Sequence, residues 1–308
     1  MRQTKMYNGI IIIHKEKGYT SHDVVAKLRG ICGQKKIGHT GTLDPEATGV
    51  LPVCLGSGTK LCDMLTDKDK EYVAELHLGV ETDTQDMTGR VLAEHAVEVS
   101  EEQVREAVLS FQGSYMQTPP MYSALKINGK KLYELAREGR EVERQAREVR
   151  IDQIEIMRMQ LPLVQLRVVC SKGTYIRTLC ADIGEKLGCG GAMESLVRTR
   201  VGGFTLEEAV TLGQLQTLKD QGKLAGAIEP VESVFQNCPV LHVCRDFVKL
   251  LDNGNALTVE QTAEKEQYEP GRWVRLCWPD NRFAGIYAYD PGRKRYQPVK
   301  MFLEQTEG

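Results

Sequence analysis

The chain has 308 residues, enough for about two domains, with 41% hydrophobic and 27% charged residues and a formal net charge of −2. No apolar run approaches the ~20 residues of a membrane-spanning helix. Met1-Arg2-Gln3-Thr4-Lys5 leads into Ile10–Ile13, too short for a signal-peptide core, so a cytoplasmic protein is expected.

In chain order, Ile10–Ile13 reads as a buried strand. Ser21 reads as the N-cap of a helix with Val24, Val25, Leu28 and Ile31 on one face and Gly30 or Gly33 as its stop. A glycine-rich loop follows, then a strand over Val50–Leu55. Tyr72–Leu78 alternates with period two and predicts a strand with one buried face. Ser100-Glu101-Glu102-Gln103 is a capping box opening a helix with Val104, Ala107, Val108 and Phe111 inward and Gly113 at its end. Residues 118–150 break the pattern with Pro119-Pro120 and a basic, weakly periodic stretch, which reads as an insertion lying over the surface. Leu163–Cys170 returns as a strand, and Thr174–Leu187 as a helix with Ile176, Leu179, Cys180 and Ile183 inward. After Ala225–Pro239 only short strand patterns remain: Val240–Cys244, Trp273–Cys277, Phe283–Tyr289 and Pro298–Leu303. The expected organisation is α+β, with one domain over 1–237 and a small β-rich module over 238–308.

The charge is unevenly spread. Residues 1–37 hold eight Lys/Arg against two acids, and 63–106 hold thirteen acids against four bases. Residues 126–150 add eight bases against five acids, among them Lys126, Lys130 and Lys131. A chain near neutrality can present a basic face when its acids are segregated elsewhere. A run of solvated helix charges reads the same way in sequence.

The richest segment is Gly38–Pro52, GHTGTLDPEATGVLP. Its glycines permit tight geometry or close approach of another group, and Pro45 biases Asp44 away from helix. It reads as a shaped loop presenting the carboxylate of Asp44; a plain strand connection with Asp44 starting a turn has the same composition. Elsewhere the usual cofactor signals are missing. There is no P-loop, since Asn128-Gly129-Lys130-Lys131 is not one. Gly56-Ser57-Gly58-Thr59-Lys60 lacks the third glycine of a dinucleotide fingerprint, and neither G-x-S-x-G nor H-E-x-x-H occurs. Nine cysteines form no C-x-x-C pair and no zinc spacing, which reads as reduced, mostly buried thiols. What remains is a reaction centred on one carboxylate, without metal or nucleotide cofactor.

Five ordered segments resemble the TruB-type tRNA pseudouridine synthases, over roughly residues 8–235. They are Gly38–Pro52; Lys70-Glu71-Tyr72-Val73-Ala74; Pro119-Pro120-Met121-Tyr122-Ser123-Ala124-Leu125-Lys126; Gly173-Thr174-Tyr175-Ile176-Arg177-Thr178-Leu179; and Leu196-Val197-Arg198-Thr199-Arg200-Val201-Gly202-Gly203-Phe204. One departure is Gly190-Gly191-Ala192, where the family pattern has Ala then His at the last two positions. The resemblance implies a catalytic domain on a mixed, mainly antiparallel sheet flanked by helices, a C-terminal PUA-like RNA-binding module, and isomerisation of uridine-55 in the T loop of tRNA.

It also implies roles. Asp44 is the catalytic carboxylate and Arg177 its cationic partner. Tyr72 and Tyr175 are the aromatic positions of the base pocket, Tyr72 also able to move a proton. Leu196 is an apolar wall, and His39 packs against the disrupted loop beside the flipped nucleotide. RNA grip falls to the insertion, with Lys126, Lys130 and Lys131, and to Arg198 and Arg200. The reaction breaks N1–C1′ and forms C5–C1′; the bond energies nearly balance, so it needs no ATP or redox cofactor. Extracting the base costs a few kcal/mol, recovered by stacking and edge hydrogen bonds. Two other readings use the same residues: a tRNA-binding or remodelling protein without essential turnover, and a uracil glycosidic-bond hydrolase. Nothing in the sequence demands more than a monomer.

Overall fold

The computed structural model describes residues 6–127 and 129–303; the expectation drawn from Met1–Lys5 lies outside them. The N-terminal half opens with β1 (Gly9–Lys15), α1 (Ser21–Cys32), β2 (Ile37–His39), β3 (Thr48–Leu55), α2 (Cys62–Thr66) and β4 (Lys70–Leu78). The run Ile10–Ile13 is continuous rather than alternating because both faces of β1 are covered. Ile11 and Ile13 pack with Val24 and Leu28 of α1, whereas Ile10 and Ile12 pack with Leu61 and Leu65 on the other side. The N-cap of α1 is Thr20, not Ser21: Thr20 and Asp23 form a capping box. Ser21 is buried instead, with its Oγ turned to the loop that follows β2. In β4 the alternation predicted from sequence is present, with Tyr72, Ala74, Leu76 and Leu78 buried.

Next come β5 (Val80–Thr82), β6 (Val91–Glu94), α3 (Glu101–Leu109), β7 (Gly113–Gln117), β8 (Lys126–Ile127), β9 (Lys130–Lys131), α4 (Leu132–Arg137), β10 (Arg147–Gln160) and β11 (Leu163–Cys170). Ser100 and Gln103 make the expected capping box at α3, but the helix ends at Leu109, and Gly113 begins the next strand at φ near +105°. The insertion is shorter than expected. Arg147–Arg150 pair antiparallel with Ser114–Gln117, so they belong to the sheet, and the excursion proper runs over 118–146.

This larger part of the chain closes with α5 (Ile176–Leu187), β12 (Gly191–Val201), β13 (Phe204–Thr205) and α6 (Leu212–Asp220). Its nine-stranded sheet runs β1-β3-β12-β4-β11-β10-β7, with β2 beside β3 and β13 beside β12. Only the β3–β12 contact is parallel. Helices α3 and α5 cover one region of it, joining Val104, Val108, Leu179 and Ile183 to the buried residues of β4, β10 and β11. Helices α1 and α6 cover β1 and β3.

The remaining elements are β14 (Val240–His242), α7 (Val248–Asp252), β15 (Trp273–Cys277), β16 (Phe283–Asp290) and β17 (Arg295–Met301). The strands form a separate four-stranded sheet in sequence order. It has its own apolar centre around Leu241, Val274, Leu276, Tyr287 and Tyr296. Ile286 and Phe302 face the larger sheet, packing with Ile10, Ile12 and Phe235. Phe283 and Phe302 stack at 5.7 Å, and Phe235 lies about as close to both. The architecture is thus α+β with a mixed, mainly antiparallel main sheet and a small β-rich sheet docked through aromatic contact. No helix among the described residues is long and apolar enough to cross a membrane.

Candidate active site

The loop between β2 and β3 is fastened from three sides, which makes it a fixed platform for Asp44. From α1, Ser21 Oγ accepts from the backbone N of Leu43 at 2.9 Å, and Leu43 itself is buried. From β1, Lys15 is fully buried and its Nζ donates to the carbonyls of Pro45, Tyr19 and Glu16 at 3.0, 2.7 and 3.1 Å. Burial brings the Lys15 ammonium down to about 8. From β12, Arg198 donates to Val50 O at 2.7 Å and, at longer range, to Gly41 O. Gly49 is where the loop becomes β3, at φ near +109°, and a Cβ there would overlap the Arg198 backbone. The glycine requirement read from sequence is a close approach at this position.

Asp44 lies at the edge of this platform with its side chain 38% exposed, facing Arg177, whose side chain is only 6% exposed. Arg177 Nε is 3.1 Å from Asp44 Oδ2, and its Nη2 is 3.5 Å from Oδ1, a side-on bidentate approach. The rest of the guanidinium is used too. Nη2 donates to Tyr122 O at 2.8 Å; Nη1 donates to Thr84 O at 3.2 Å and lies 3.5 Å from Asp86 Oδ2. The surrounding protein raises the Asp44 carboxyl above its ordinary value by desolvation; Arg177 opposes the rise, Asp86 adds to it, and Lys15 opposes it.

The aromatic candidates arrive from neighbouring strands and the helix start. Tyr72 is buried on β4, directly across from Arg198 on β12. Burial pushes the Tyr72 phenol up, so it is protonated near neutrality. Leu196 is buried two residues before Arg198 on the same strand, opposite Ala74, and shares one apolar cluster with Leu43, Ala47, Tyr72 and Ile176. Tyr175 is the N-cap of α5, half-buried, with its phenol also raised by burial. His39 ends β2, edge-on to His22 at 5.4 Å; its Nδ1 is buried without a partner, and burial lowers its pKa. The structure therefore gathers Asp44, Arg177, Tyr72 and Leu196 around one loop, with Tyr175 two residues from Arg177.

The five cations expected to grip RNA divide. Lys126 and Lys130 are exposed on the β8–β9 hairpin, and Lys131 is half-buried against the Tyr133 ring. Lys126 and Lys131 stand directly opposite each other, a like-charge pair that favours an anion between them. Arg200 is held by Asp69 at 2.7 Å and by Gly202 O. Arg198 does not belong in this group. It is 1% exposed, and its guanidinium is spent on loop carbonyls, so it cannot reach a phosphate.

Sequence reasoning missed Lys15 and Asp86. Lys15 stands after four isoleucines and a histidine, a run that reads as strand; a cation closing an apolar run was the available signal. Asp86 sits in Glu81–Gly89, a turn it organises itself by accepting from Thr84, Thr88 and the Thr88 backbone. Ninety-one positions separate it from Arg177, and no local pattern announces such a pairing. Among the described residues no cluster of three or more His, Cys, Asp or Glu could hold a metal ion. A cavity of about 730 Å³ is lined by residues such as Leu65, Phe204, Glu208 and Ser233, and by none of the candidate residues.

Comparison with known proteins gives the same picture at the level of the whole chain. Residues 29–176 match the family model of the TruB family pseudouridylate synthase N-terminal domain, and 177–236 match the tRNA pseudouridylate synthase B C-terminal domain. The tRNA pseudouridine synthase B of Lachnoclostridium phytofermentans is 52% identical, covering 96% of this chain and all of that protein. Its counterpart in Bacillus pumilus is 41% identical over 98% of this chain and 99% of its own length. Among solved structures, an H/ACA ribonucleoprotein bound to a substrate RNA containing 2′-deoxyuridine superposes with a TM-score of 0.72 at 26% identity. It covers 97% of this chain and 86% of that one. A Cbf5–Nop10–Gar1 complex superposes equally well at 28% identity, over 96% of this chain and 85% of that one. This chain belongs to the TruB family of pseudouridylate synthases.

Proposed function

We propose that this protein isomerises uridine to pseudouridine at position 55 in the T loop of tRNA, with Asp44 as the catalytic carboxylate. The observation that carries the reading is the Asp44–Arg177 ion pair, partly exposed on the acid and buried on the base, in a chain 52% identical to a tRNA pseudouridine synthase B. Desolvation disfavours the ionised Asp44 carboxylate; the bidentate guanidinium opposes that effect and aims the carboxylate. An ionised, directed carboxylate is what the sugar or the base must meet for N1–C1′ to break.

The family resemblance supplies the remaining roles. A uridine flipped from the loop stacks on Tyr72 with Tyr175 and Leu196 as further walls, and His39 packs on the loop it leaves. Tyr72, across the ladder from Arg198, is the residue we assign to moving the C5 proton. Lys126, Lys130 and Lys131 on the excursion, with Arg200, hold phosphates, which adds affinity without sequence information. The module over 238–308 serves as a PUA-like RNA contact beside the catalytic domain over 1–237. A cytoplasmic monomer suffices for this task.

Mapping the product tests the reading. After incubation with a tRNA transcript, carbodiimide modification and primer extension should give one new stop, assigned to position 55. A transcript with cytidine at 55 should give none. A stop elsewhere, or none in the unmodified transcript, contradicts the assignment.

A further inference from the structure

Gln117 is the last residue of β7, where the sheet ends and the basic excursion begins, and it is 1% exposed. Its amide lies against the backbone of Tyr175. The Tyr175 N–H donates to Gln117 Oε1 at 2.8 Å, and Gln117 Nε2 donates to Tyr175 O at 3.0 Å. This reciprocal pair imitates one step of a β-ladder between segments 58 positions apart. A primary amide can both donate and accept in one plane in this way at any pH. Gln117 Nε2 also donates to the Tyr115 hydroxyl, near which lies Asp182, whose carboxyl burial pushes up to about 6.

Tyr175 needs such a partner. As N-cap of α5 it has no side-chain cap bond, and its backbone sets where the helix starts. Two residues on, that helix delivers Arg177 to Asp44. The chain beyond β7 then returns to the site, where Tyr122 O accepts from Arg177. Nothing in the proposed chemistry uses Gln117 directly.

We propose that Gln117 is a positioning residue for the reaction: by bracketing the Tyr175 backbone it fixes the Tyr175 ring and the Arg177 guanidinium relative to Asp44. This role rests on the reading of the site as a uridine isomerase. A misplacement of about 1 Å at such a point can cost on the order of 100-fold in rate.

Gln117→Glu and Gln117→Leu test it in the full chain. The readouts are single-turnover tritium release from [5-³H]uridine tRNA, tRNA affinity by filter binding, and thermal unfolding. Gln117→Leu should lower the rate at saturating enzyme by roughly 10- to 100-fold while tRNA affinity stays within about threefold. A protonated Glu reproduces both bonds, its O–H donating to Tyr175 O and its carbonyl accepting from Tyr175 N–H. An ionised Glu sets an acceptor against the carbonyl. The rate of Gln117→Glu relative to wild type should therefore rise as the pH is lowered. Tyr115, Tyr175, Arg147, Arg177 and Asp182 face this region in both proteins, so their own titrations divide out of the ratio. A Leu variant as fast as an active wild type overturns the role. So does a Glu variant whose deficit follows thermal stability and is constant with pH; if Gln117→Leu does not fold, the Glu ratio decides. A wild type that releases no tritium overturns the isomerase reading, and the role of Gln117 falls with it.

Discussion

The Asp44 loop and the excursion over 118–146 are both irregular connections, yet they are built in opposite ways. The loop is short, threaded between three elements, and its carbonyls are claimed by the buried cations Lys15 and Arg198. The excursion is long and largely exposed, carries its lysines outward, and reaches the site through Tyr122 O, which accepts from Arg177. The contrast separates two demands. Chemistry at one carboxylate needs a fixed position, which buried polar bonds supply at a high cost in desolvation. A polyanion with many phosphates needs charge within reach and little else.

Substitutions in the rigid region should have the larger effects. Arg177→Met leaves Asp44 and Asp86 facing each other without their cation. The single-turnover rate should fall by about 100- to 1000-fold. The sign of the pH effect follows from Asp44: its carboxyl is already raised, so its ionised form is lost at a higher pH than for an ordinary aspartate. The acid limb of the wild-type rate should therefore lie above the usual carboxylate range, and losing Arg177 should move it further up. A limb unmoved by Arg177→Met would show that another group controls it. Gly49→Ala forces a Cβ into the Arg198 backbone at a left-handed φ, and roughly 3 kcal/mol or more of stability should be lost in urea unfolding.

Arg198 sharpens the comparison because its sequence context suggested RNA and its burial says otherwise. Arg198→Met strips partners from Val50 O and Gly41 O, and should cost about 2–4 kcal/mol. The salt dependence of tRNA binding should not change, since no phosphate contact is removed. Replacing Lys126, Lys130 and Lys131 together by alanine should do the reverse. The slope of log affinity against log salt should become shallower by up to about 0.9 per lost contact, with the rate at saturating enzyme and the unfolding midpoint nearly unchanged.

Local patterns carried the secondary structure where burial was one-sided. The period-two strand containing Tyr72, the strand Leu163–Cys170 and the capping box at Ser100 stand where periodicity put them. The 14-residue β10 was not legible, because polar residues at positions such as Arg150, Asp152 and Arg158 on its exposed face mask the buried Val149, Ile151 and Ile154. Helix α6 was overlooked although Thr211 and Gln214 form a capping box in plain view. At the site, the motifs named the carboxylate and the guanidinium that the structure joins. They could not reveal Asp86 or Gln117, whose partners lie 91 and 58 positions away, nor that Arg198 turns inward rather than toward solvent. Pairings of that range depend on the sheet order, which no local pattern encodes.

Asp44→Asn is the most direct test of the chemistry at the centre of this structure. It nearly conserves the shape of the loop while removing the negative charge that Arg177 holds. Tritium release from [5-³H]uridine tRNA should be abolished in the variant at enzyme concentrations that saturate binding, while wild type releases tritium and no free uracil. Tritium release by Asp44→Asn at the wild-type rate, or free uracil as the wild-type product, would contradict isomerisation driven by this carboxylate.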